Sequence, residues 1–173
     1  MFPHSRRIFV FMVLALAAAG ASPAPTARSV NTYSDPVYAF SMAAPSFAET
    51  KQDRALIAIF QAPAEDGFTP NVTVMIDPVK TTRKEYMTDN MKTMAGTNPR
   101  ANVRSLKELQ LSGKDAEVLD YDATMAGRRL RFLQLLVVAE DRVYVLTCTA
   151  PLDSYPKYEA QFQKCVDSFR LDK

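Results

Sequence analysis

Histidine is nearly missing from this sequence, and its absence excludes the commonest catalytic and metal-binding chemistry. The single histidine, His4, lies in a segment that we interpret below as an export signal. A chain without histidine builds neither a Ser-His-Asp nor a Cys-His site, and it cannot form a histidine-ligated metal centre. Tryptophan is absent too, and the two cysteines cannot complete a zinc shell without histidines. The remaining general bases are carboxylates, lysines and tyrosines.

An excess of charge of one sign is also missing. The chain has 21 Lys and Arg residues against 19 Asp and Glu residues, and Arg6 and Arg7 belong to the export signal. The rest of the chain is therefore formally neutral. Because nucleic acids and anionic lipids select a strong positive field, we expect neither as a partner.

The chain has no long apolar run, but it begins with a short one. Arg6 and Arg7 precede the apolar residues 8–19, and small residues follow at 19–21. This run is shorter than the ~20 residues of a membrane-spanning helix. The pattern predicts a signal peptide, residues 1–21, cleaved after Ala21, with a retained N-terminal anchor as the alternative. We expect a periplasmic or extracellular protein with no stable membrane insertion.

The rest of the chain is interpreted as a leader and one domain. Residues 22–34 are rich in Pro, Ala, Ser and Thr without periodicity, which is typical of a flexible leader. Residues 35–173 then form a single domain, long enough to bury a core. Its first half contains three apolar segments bounded by turn-forming residues, which predict strands at 37–42, 55–61 and 72–76.

Two helices are predicted, one in the middle of the chain and one at its end. Thr82 and Glu85 form a capping box for the first helix, residues 82–95, and Gly96 is expected to adopt a left-handed cap. A stripe on this helix indicates core packing rather than a metal site, and it is formed by Met87, Met91 and Met94. The second helix, residues 154–168, has its own apolar stripe, formed by Tyr158, Phe162, Cys165, Val166 and Phe169.

Between the helices the sequence predicts an antiparallel meander of four strands, at 103–111, 115–125, 128–139 and 142–150. A two-residue turn at Ala126 and Gly127 would place Asp122 opposite Arg131 and Tyr121 opposite Phe132. The third strand is apolar on both faces, so both faces should be covered. We expect an α+β fold in which an antiparallel sheet of six to seven strands lies between helices.

Three polar groups were considered as sites. The first group is formed by four acidic residues of one predicted strand, Asp115, Glu117, Asp120 and Asp122. They would form a carboxylate catalytic site or bind a divalent cation only if two of them shared a cleft. Alternation puts Asp120 and Asp122 on one face and Glu117 on the other, and the simpler interpretation is an Asp122–Arg131 ion pair with the others solvated. A second carboxylate pair, Asp66 with Asp77, would have to be assembled from distant loops.

The other two groups carry less chemistry. Arg128, Arg129 and Arg131 could clamp an anion, but arginines near a hairpin tip are commonly solubilising charges. Asn71 begins an Asn-Val-Thr glycosylation pattern at the start of a predicted strand. We assign no catalytic, cofactor-binding or metal-binding residue.

The two cysteines, Cys148 and Cys165, are predicted to form a disulfide. In an exported protein an even pair of cysteines is a disulfide candidate. Cys148 shares a strand face with Leu146 and Tyr144, and Cys165 lies on the apolar stripe of the helix that returns over that face. The alternative is a pair of buried free thiols, which behave as small hydrophobes.

The ordered segments resemble PsbP-like domains and the exported DcrB-type proteins of bacteria. The first strand carries an aromatic-x-Phe-Ser-x-x-x-Pro pattern, formed by Tyr38, Phe40, Ser41 and Pro45. The later matches are turns and a terminal helix, at Leu111, Ser112, Gly113, Asp120, Tyr121, Gly127, Tyr144, Tyr158, Phe162 and Phe169. The resemblance covers residues 33–171 and implies a PsbP-like α/β/α sandwich.

The resemblance also implies a class of function. Members are mostly non-catalytic, including an extrinsic photosystem subunit, a Ran-binding import factor and envelope proteins, and they share no active-site motif. We therefore expect an accessory protein of the cell envelope that binds a protein partner without a cofactor. The alternatives are a small-molecule or ion carrier, which needs a cavity between sheet and helix, and a carboxylate-based hydrolase.

Overall fold

The computed structural model describes residues 31–50 and 56–172 of the chain. The predicted signal peptide with its cleavage after Ala21, and the predicted leader as far as residue 30, lie outside the described residues. Within the described part, the chain forms ten strands, two α-helices and one short 3-10 turn.

Seven strands build the main sheet, and all their pairings are antiparallel. They are β3 (Ala48–Thr50), β4 (Leu56–Gln61), β5 (Asn71–Asp77), β6 (Asn102–Leu111), β7 (Lys114–Met125), β8 (Arg128–Val138) and β9 (Val143–Pro151). Their order is β3-β4-β5-β9-β8-β7-β6. The predicted meander is therefore confirmed as β6 to β9.

The register of the meander agrees with the two-residue turn. Ala126 and Gly127 have φ values of 49° and 78°, and this pair of positive φ values matches a type I′ hairpin turn. Asp122 lies opposite Arg131, and Tyr121 lies opposite Phe132, as predicted. The Tyr121 and Phe132 rings stack at a centroid distance of 4.7 Å.

The hydroxyl of Tyr121 leads to a stability prediction. It is buried without a hydrogen-bond partner among the described residues, and burial raises the pKa of Tyr121 above its ordinary value. Because an unsatisfied buried hydroxyl is costly, Tyr121→Phe should stabilise the protein by about 1 kcal/mol in urea unfolding. The matched control is Tyr144→Phe, which removes a 2.8 Å bond to the Tyr38 carbonyl and should destabilise. Destabilisation by both substitutions would contradict the prediction.

The central strand β8 is covered on both faces, as its apolar sequence predicted. Leu133, Leu135 and Val137 contact the core that contains α2 (Glu159–Ser168). Phe132 and Leu136 point to the opposite face, which α1 (Arg83–Thr97) covers. The predicted α+β fold, an antiparallel sheet between helices, is confirmed.

Helix α1 begins as predicted but ends later. Thr82 accepts a bond from the Glu85 backbone, and the Glu85 side chain accepts from the Thr82 N–H, which completes the capping box. The prediction that Gly96 ends the helix in a left-handed conformation is wrong. The helix continues to Thr97, and the cap is Asn98, whose N–H donates to the Met94 carbonyl. The methionine stripe packs into the core, as expected, through Met87, Met91 and Met94.

The second helix starts later than residue 154. A 3-10 turn, Tyr155–Lys157, precedes α2 and contains Pro156 near its start. Proline has no N–H to donate, so it suits the first turn of a helix. Phe162, Cys165 and Val166 are buried on α2, as the stripe predicted.

A small second sheet was not predicted. It consists of β1 (Thr32–Asp35), β2 (Phe40–Ala43) and β10 (Arg170–Leu171), in the order β1-β2-β10. Strand β1 begins inside the segment interpreted as a flexible leader, 22–34, and residues 36–39 form a turn rather than the start of a strand. Strands this short show no periodicity, and β2 pairs with the far end of the chain. The small sheet shares the α2 side of the main sheet, where Phe40 stacks on Phe169.

The structure does not contain the predicted Cys148–Cys165 disulfide. Both cysteines are buried free thiols, and burial raises the pKa of Cys165 to about 12. The Cys148 Sγ instead lies 4.0 Å from the carbonyl of Phe162. The structure therefore agrees with the alternative interpretation, in which the two buried thiols pack as small hydrophobes.

Candidate functional site

The long edge strand β6 is the most exposed regular element of the main sheet. Its 10 residues are exposed except for half-buried Leu109 and buried Leu111. One side of β6 pairs with β7, and no described strand pairs with its other side. The opposite edge of the sheet, β3, is 3 residues long in the described chain. An unpaired edge offers a row of backbone donors and acceptors to another polypeptide.

The sequence of β6 contains features that limit which other strands can pair with its exposed edge. Arg104, Lys107 and Glu108 place charge on both faces, and a β-bulge interrupts the register between Val103 and Ser105. Charges and bulges are common devices that prevent uncontrolled edge-to-edge association. Apolar surface is nevertheless present, since Val103 is 39% exposed and Leu106 is 48% exposed. The edge is thus accessible but selective.

A groove adjoins this edge on the α2 side of the sheet. It has a volume of about 620 Å³ and lies between α2 and the side chains of β6, β7 and β8. The short helix α2 packs on β8, which leaves the sheet between β8 and the β6 edge open. The apolar residues that line the groove are Leu109, Leu111, Val118, Leu133 and Val166.

Outside the Asp120–Arg131 ion pair, the charged side chains that line the groove are two cations, Lys107 and Arg170, and one carboxylate, Asp167. The Asp120 carboxylate accepts two bonds from Arg131, and Asp167 accepts a bond from Gln163. Arg170 donates only to backbone carbonyls, and Lys107 has no ion pair within the described part of the chain. An anionic group that enters the groove therefore meets two cations that form no ion pair among the described residues, and one carboxylate, Asp167, so the groove favours an anion by one net positive charge.

The α1 side of the edge contains a buried carboxylate, Glu117. It is 3% exposed and lies opposite Glu108 on β6, which forms a 2.6 Å ion pair with Arg83 of α1. Burial raises the pKa of Glu117, and Glu108 adds to the rise, whereas Arg83 opposes it. The ionised form of Glu117 is therefore disfavoured in the folded protein.

We predict a pH-dependent stability effect at Glu117. A raised pKa contributes stability that is complete below the unfolded-state pKa and is lost as pH rises through the folded-state pKa. Glu117→Gln should therefore be more stable than wild type at pH 7.5, with the difference shrinking toward pH 4. Urea unfolding at both pH values measures this. Glu108→Gln, which breaks the ion pair with Arg83, is the control and should not stabilise at pH 7.5; equal unfolding of wild type and Glu117→Gln at pH 7.5 would contradict the prediction.

The predicted acidic cluster does not converge on one cleft. Asp120 and Asp122 lie on the α2 side and Glu117 on the α1 side, as alternation predicted. The expected Asp122–Arg131 ion pair is wrong, however, because Arg131 reaches diagonally to Asp120 and Asp122 pairs with Arg104 at 2.8 Å. Asp115 accepts a hydrogen bond from Gln110. Among the described residues, no group of three or more Cys, His, Asp or Glu side chains could hold a metal ion.

The other sequence candidates lie apart. Asp77 ends β5, whereas Asp66 lies in the loop before the first residue of this strand, and the 7 residues of β5 span about 20 Å. Arg128 and Arg129 are exposed at the hairpin, whereas Arg131 is 19% exposed and held by carboxylates. Asn71 is half-buried in β5, and its amide donates to the Thr69 carbonyl.

Sequence reasoning placed β6 correctly but missed Leu106, Lys107 and Arg170 as site residues. The sequence could have indicated that β6 is an edge strand. The first strand of a meander pairs with only one strand of that meander, and β6 carries charged residues on both faces. No pattern in the sequence around Arg170 identifies it as a site residue, because only the tertiary packing of the last residues of the chain places it at the groove.

The fold is that of small α+β proteins of the PsbP-like and Mog1-like type, in which an antiparallel sheet lies between helices. The chain belongs to the DcrB family, whose model matches residues 46–168. The resemblance noted in the sequence is thereby confirmed. A comparison with curated proteins gave no match.

Solved structures of this fold come from distant organisms. Cyanobacterial PsbP (CyanoP) from Synechocystis matches with a TM-score of 0.64 at 15% identity, over 88% of this chain and 98% of that one. The Pseudomonas aeruginosa protein PA94 matches with a TM-score of 0.57 at 18% identity, over 77% and 90%. The yeast Ran-binding protein Mog1p matches with a TM-score of 0.56 at 12% identity, over 83% and 96%. At these identities the likeness concerns the fold alone.

None of the helices in the described ranges is long and apolar enough to cross a membrane.

Proposed function

We propose that this protein is an exported, non-catalytic accessory protein of the cell envelope that acts by binding another protein along β6. The observation that carries the proposal is the exposed 10-residue edge strand with no described partner on its outer side. Addition of a strand to such an edge is a common mode of peptide recognition, in which main-chain hydrogen bonds provide affinity. Membership in the DcrB family and the likeness of the fold to that of Mog1p, a Ran-binding protein, agree with a binding role.

The cellular setting is part of the proposal. A signal peptide at residues 1–21 would deliver a single domain, residues 35–173, to the periplasm or the cell exterior. The formally neutral mature chain favours a protein partner over nucleic acid. Intact-mass measurement of the exported protein tests this step, because a mass that retains residues 1–21 would contradict it.

The binding role is tested by photocrosslinking in the producing cell. A photoreactive amino acid at Leu106, on the edge, is compared with one at Lys92, an exposed residue of α1. We expect a discrete adduct from position 106 and none from position 92. The adduct should have the same mass in repeated preparations, and its loss after Lys107→Glu would tie it to the edge. Absence of any adduct at position 106 would overturn the proposal.

A second candidate function is favoured by the groove. Its volume of about 620 Å³, between sheet and helix, is in the range of small-ligand sites. The protein would then carry a small amphipathic anion, with its apolar part on Leu109 and Leu133 and its charge near Lys107. Native mass spectrometry of the exported protein discriminates this function, because a co-purifying small molecule that Leu133→Trp displaces would favour carriage. No comparable observation favours a carboxylate hydrolase, since Asp115, Asp120 and Asp122 are held in separate interactions. The fourth acid of β7, Glu117, lies on the opposite face of the sheet from Asp120 and Asp122.

A further inference from the structure

We propose that the segment bound at β6 is an antiparallel strand of the partner protein with the pattern apolar-x-acidic-apolar. This inference rests on the proposed function, because it specifies the chemistry of the segment that the β6 edge accepts. Two features carry it together: the outer side of β6, with which no described strand pairs, and the two cations of the groove that form no ion pair in the described chain.

The geometry of strand addition determines which residues face each other. All strand pairs of the main sheet are antiparallel, so an added antiparallel strand continues the existing pattern. Side chains alternate between the faces of a strand, and opposite residues have Cβ atoms about 5 Å apart. Those of the added strand that point to the α2 side would lie beside Ser105, Lys107 and Leu109, above the groove. Those that point to the α1 side would lie beside Leu106 and Glu108.

Charge selects the acidic position. Lys107 is exposed and has no ion pair within the described chain, and it lines the groove with Arg170. A carboxylate opposite Lys107 gains a cross-strand ion pair, whereas a lysine there meets two cations. Neither acid that lines the groove forms an ion pair with Lys107 in the described chain: Asp120 is held by Arg131, and Asp167 accepts a bond from the amide of Gln163.

Apolar surface selects the two flanking positions. Leu109 lies two residues from Lys107 on the same face, at the apolar floor of the groove. Leu106, on the other face, is 48% exposed, and an apolar residue opposite it would cover this surface. In antiparallel order, the residues opposite Leu109, Glu108, Lys107 and Leu106 read apolar-x-acidic-apolar.

Two other occupants fit less well. In a self-paired β6 with Leu106 opposite its own copy, Lys107 would face Ser105, so neither lysine would gain a carboxylate. The bulge between Val103 and Ser105 would also break that register near both ends. The chain's own residues 22–30 contain two prolines and no acidic residue, so they cannot supply the pattern.

The test uses the exported protein and a labelled, end-capped peptide with Leu-Thr-Asp-Val at its centre and threonines on both sides. Fluorescence anisotropy should detect binding, and Lys107→Glu should weaken it at least about tenfold. A second peptide with Lys in place of Asp should show the reverse preference and bind Lys107→Glu better than wild type. Lys92→Glu, an equal charge change on α1, should leave both affinities unchanged. Circular dichroism establishes that each variant is folded.

The outcomes separate this inference from the proposed function. Amide shifts of β6 in an NMR titration, together with the reciprocal charge preference, would support the inference. Failure of the acidic peptide to bind, or binding that Lys107→Glu does not change, would overturn the inference; an adduct at Leu106 in the same protein would still support the proposed function. A Leu106 adduct with a second copy of the chain would overturn the inference in favour of self-pairing.

Discussion

Phe162→Ala is expected to lower the free energy of unfolding by about 3–5 kcal/mol, the range for removal of a fully buried phenylalanine. Phe162 is 0% exposed and lies where α2 meets the main sheet. Its ring stacks on Tyr158 at a centroid distance of 5.8 Å and meets the edges of Tyr155 and Phe47 at 5.5 Å and 6.2 Å. Truncation removes all three aromatic contacts and leaves a cavity that the helix cannot refill without shifting.

The effect of Phe162→Ala is measured by urea unfolding with circular dichroism at fixed pH. Phe162→Leu keeps most of the apolar volume and should cost less than about 1.5 kcal/mol. Lys164→Ala, at an exposed position of the same helix, should change stability by less than about 0.5 kcal/mol. A loss below about 1 kcal/mol for Phe162→Ala would mean that α2 is not anchored as described.

Arg131→Met is expected to destabilise the protein by about 3 kcal/mol, because it leaves a poorly solvated carboxylate without its partner. Arg131 donates two bonds to Asp120, at 3.0 Å and 2.9 Å, and lies 3.2 Å from Glu159. Its guanidinium also lies over the Tyr155 ring at 4.2 Å. The Asp120 side chain is 14% exposed, so water cannot replace the lost bonds fully.

A double-mutant cycle tests the cause. Arg131→Met combined with Asp120→Asn should be more stable than the sum of the two single losses predicts, by about 1 kcal/mol or more. The more exposed pair Arg142 and Asp141, with side chains 33% and 68% exposed, is the control, and Arg142→Met should cost less than about 1 kcal/mol. Additive losses at Arg131 and Asp120 would show that their bonds contribute no coupling, contrary to the prediction.

The C-terminal meander was predictable because its signals are local. Apolar residues on both faces of β8 required a cover on each side, and Ala126 with Gly127 ended one strand and began the next. The pairing of Tyr121 with Phe132 followed from that turn alone. Side-chain partners were less predictable than backbone register. The side chain of Arg131 is long enough to reach either Asp120 or Asp122. Glu159 of α2, which is remote in sequence, also forms an ion pair with Arg131 and so favours the position beside Asp120.

The candidate site was only partly predictable, since it depends on what remains uncovered. The sequence indicates that 103–111 is a strand, but that none of the described strands pairs with the outer side of β6 is a property of the assembled sheet. The groove forms because α2 packs on β8 and does not extend over β6. The sequence of α2 does not indicate how far the helix lies from β6. The cysteines illustrate the same limit, because strand face and helix stripe placed Cys148 and Cys165 in one core without determining whether their sulfurs bond.

By itself, the sequence determined the α+β class, the meander with the register of its Ala126–Gly127 hairpin, the capping box of α1, the methionine packing and the family resemblance. Each of these depends on periodicity, turn residues or a short motif, all of which act between residues close in the chain. Only the tertiary structure decided the pairing of β2 with β10, the ion pair of Arg131, the free state of the thiols and the open edge beside the groove. Those features join residues far apart in sequence, and their energies depend on distances and solvent exclusion that arise only after the chain has folded.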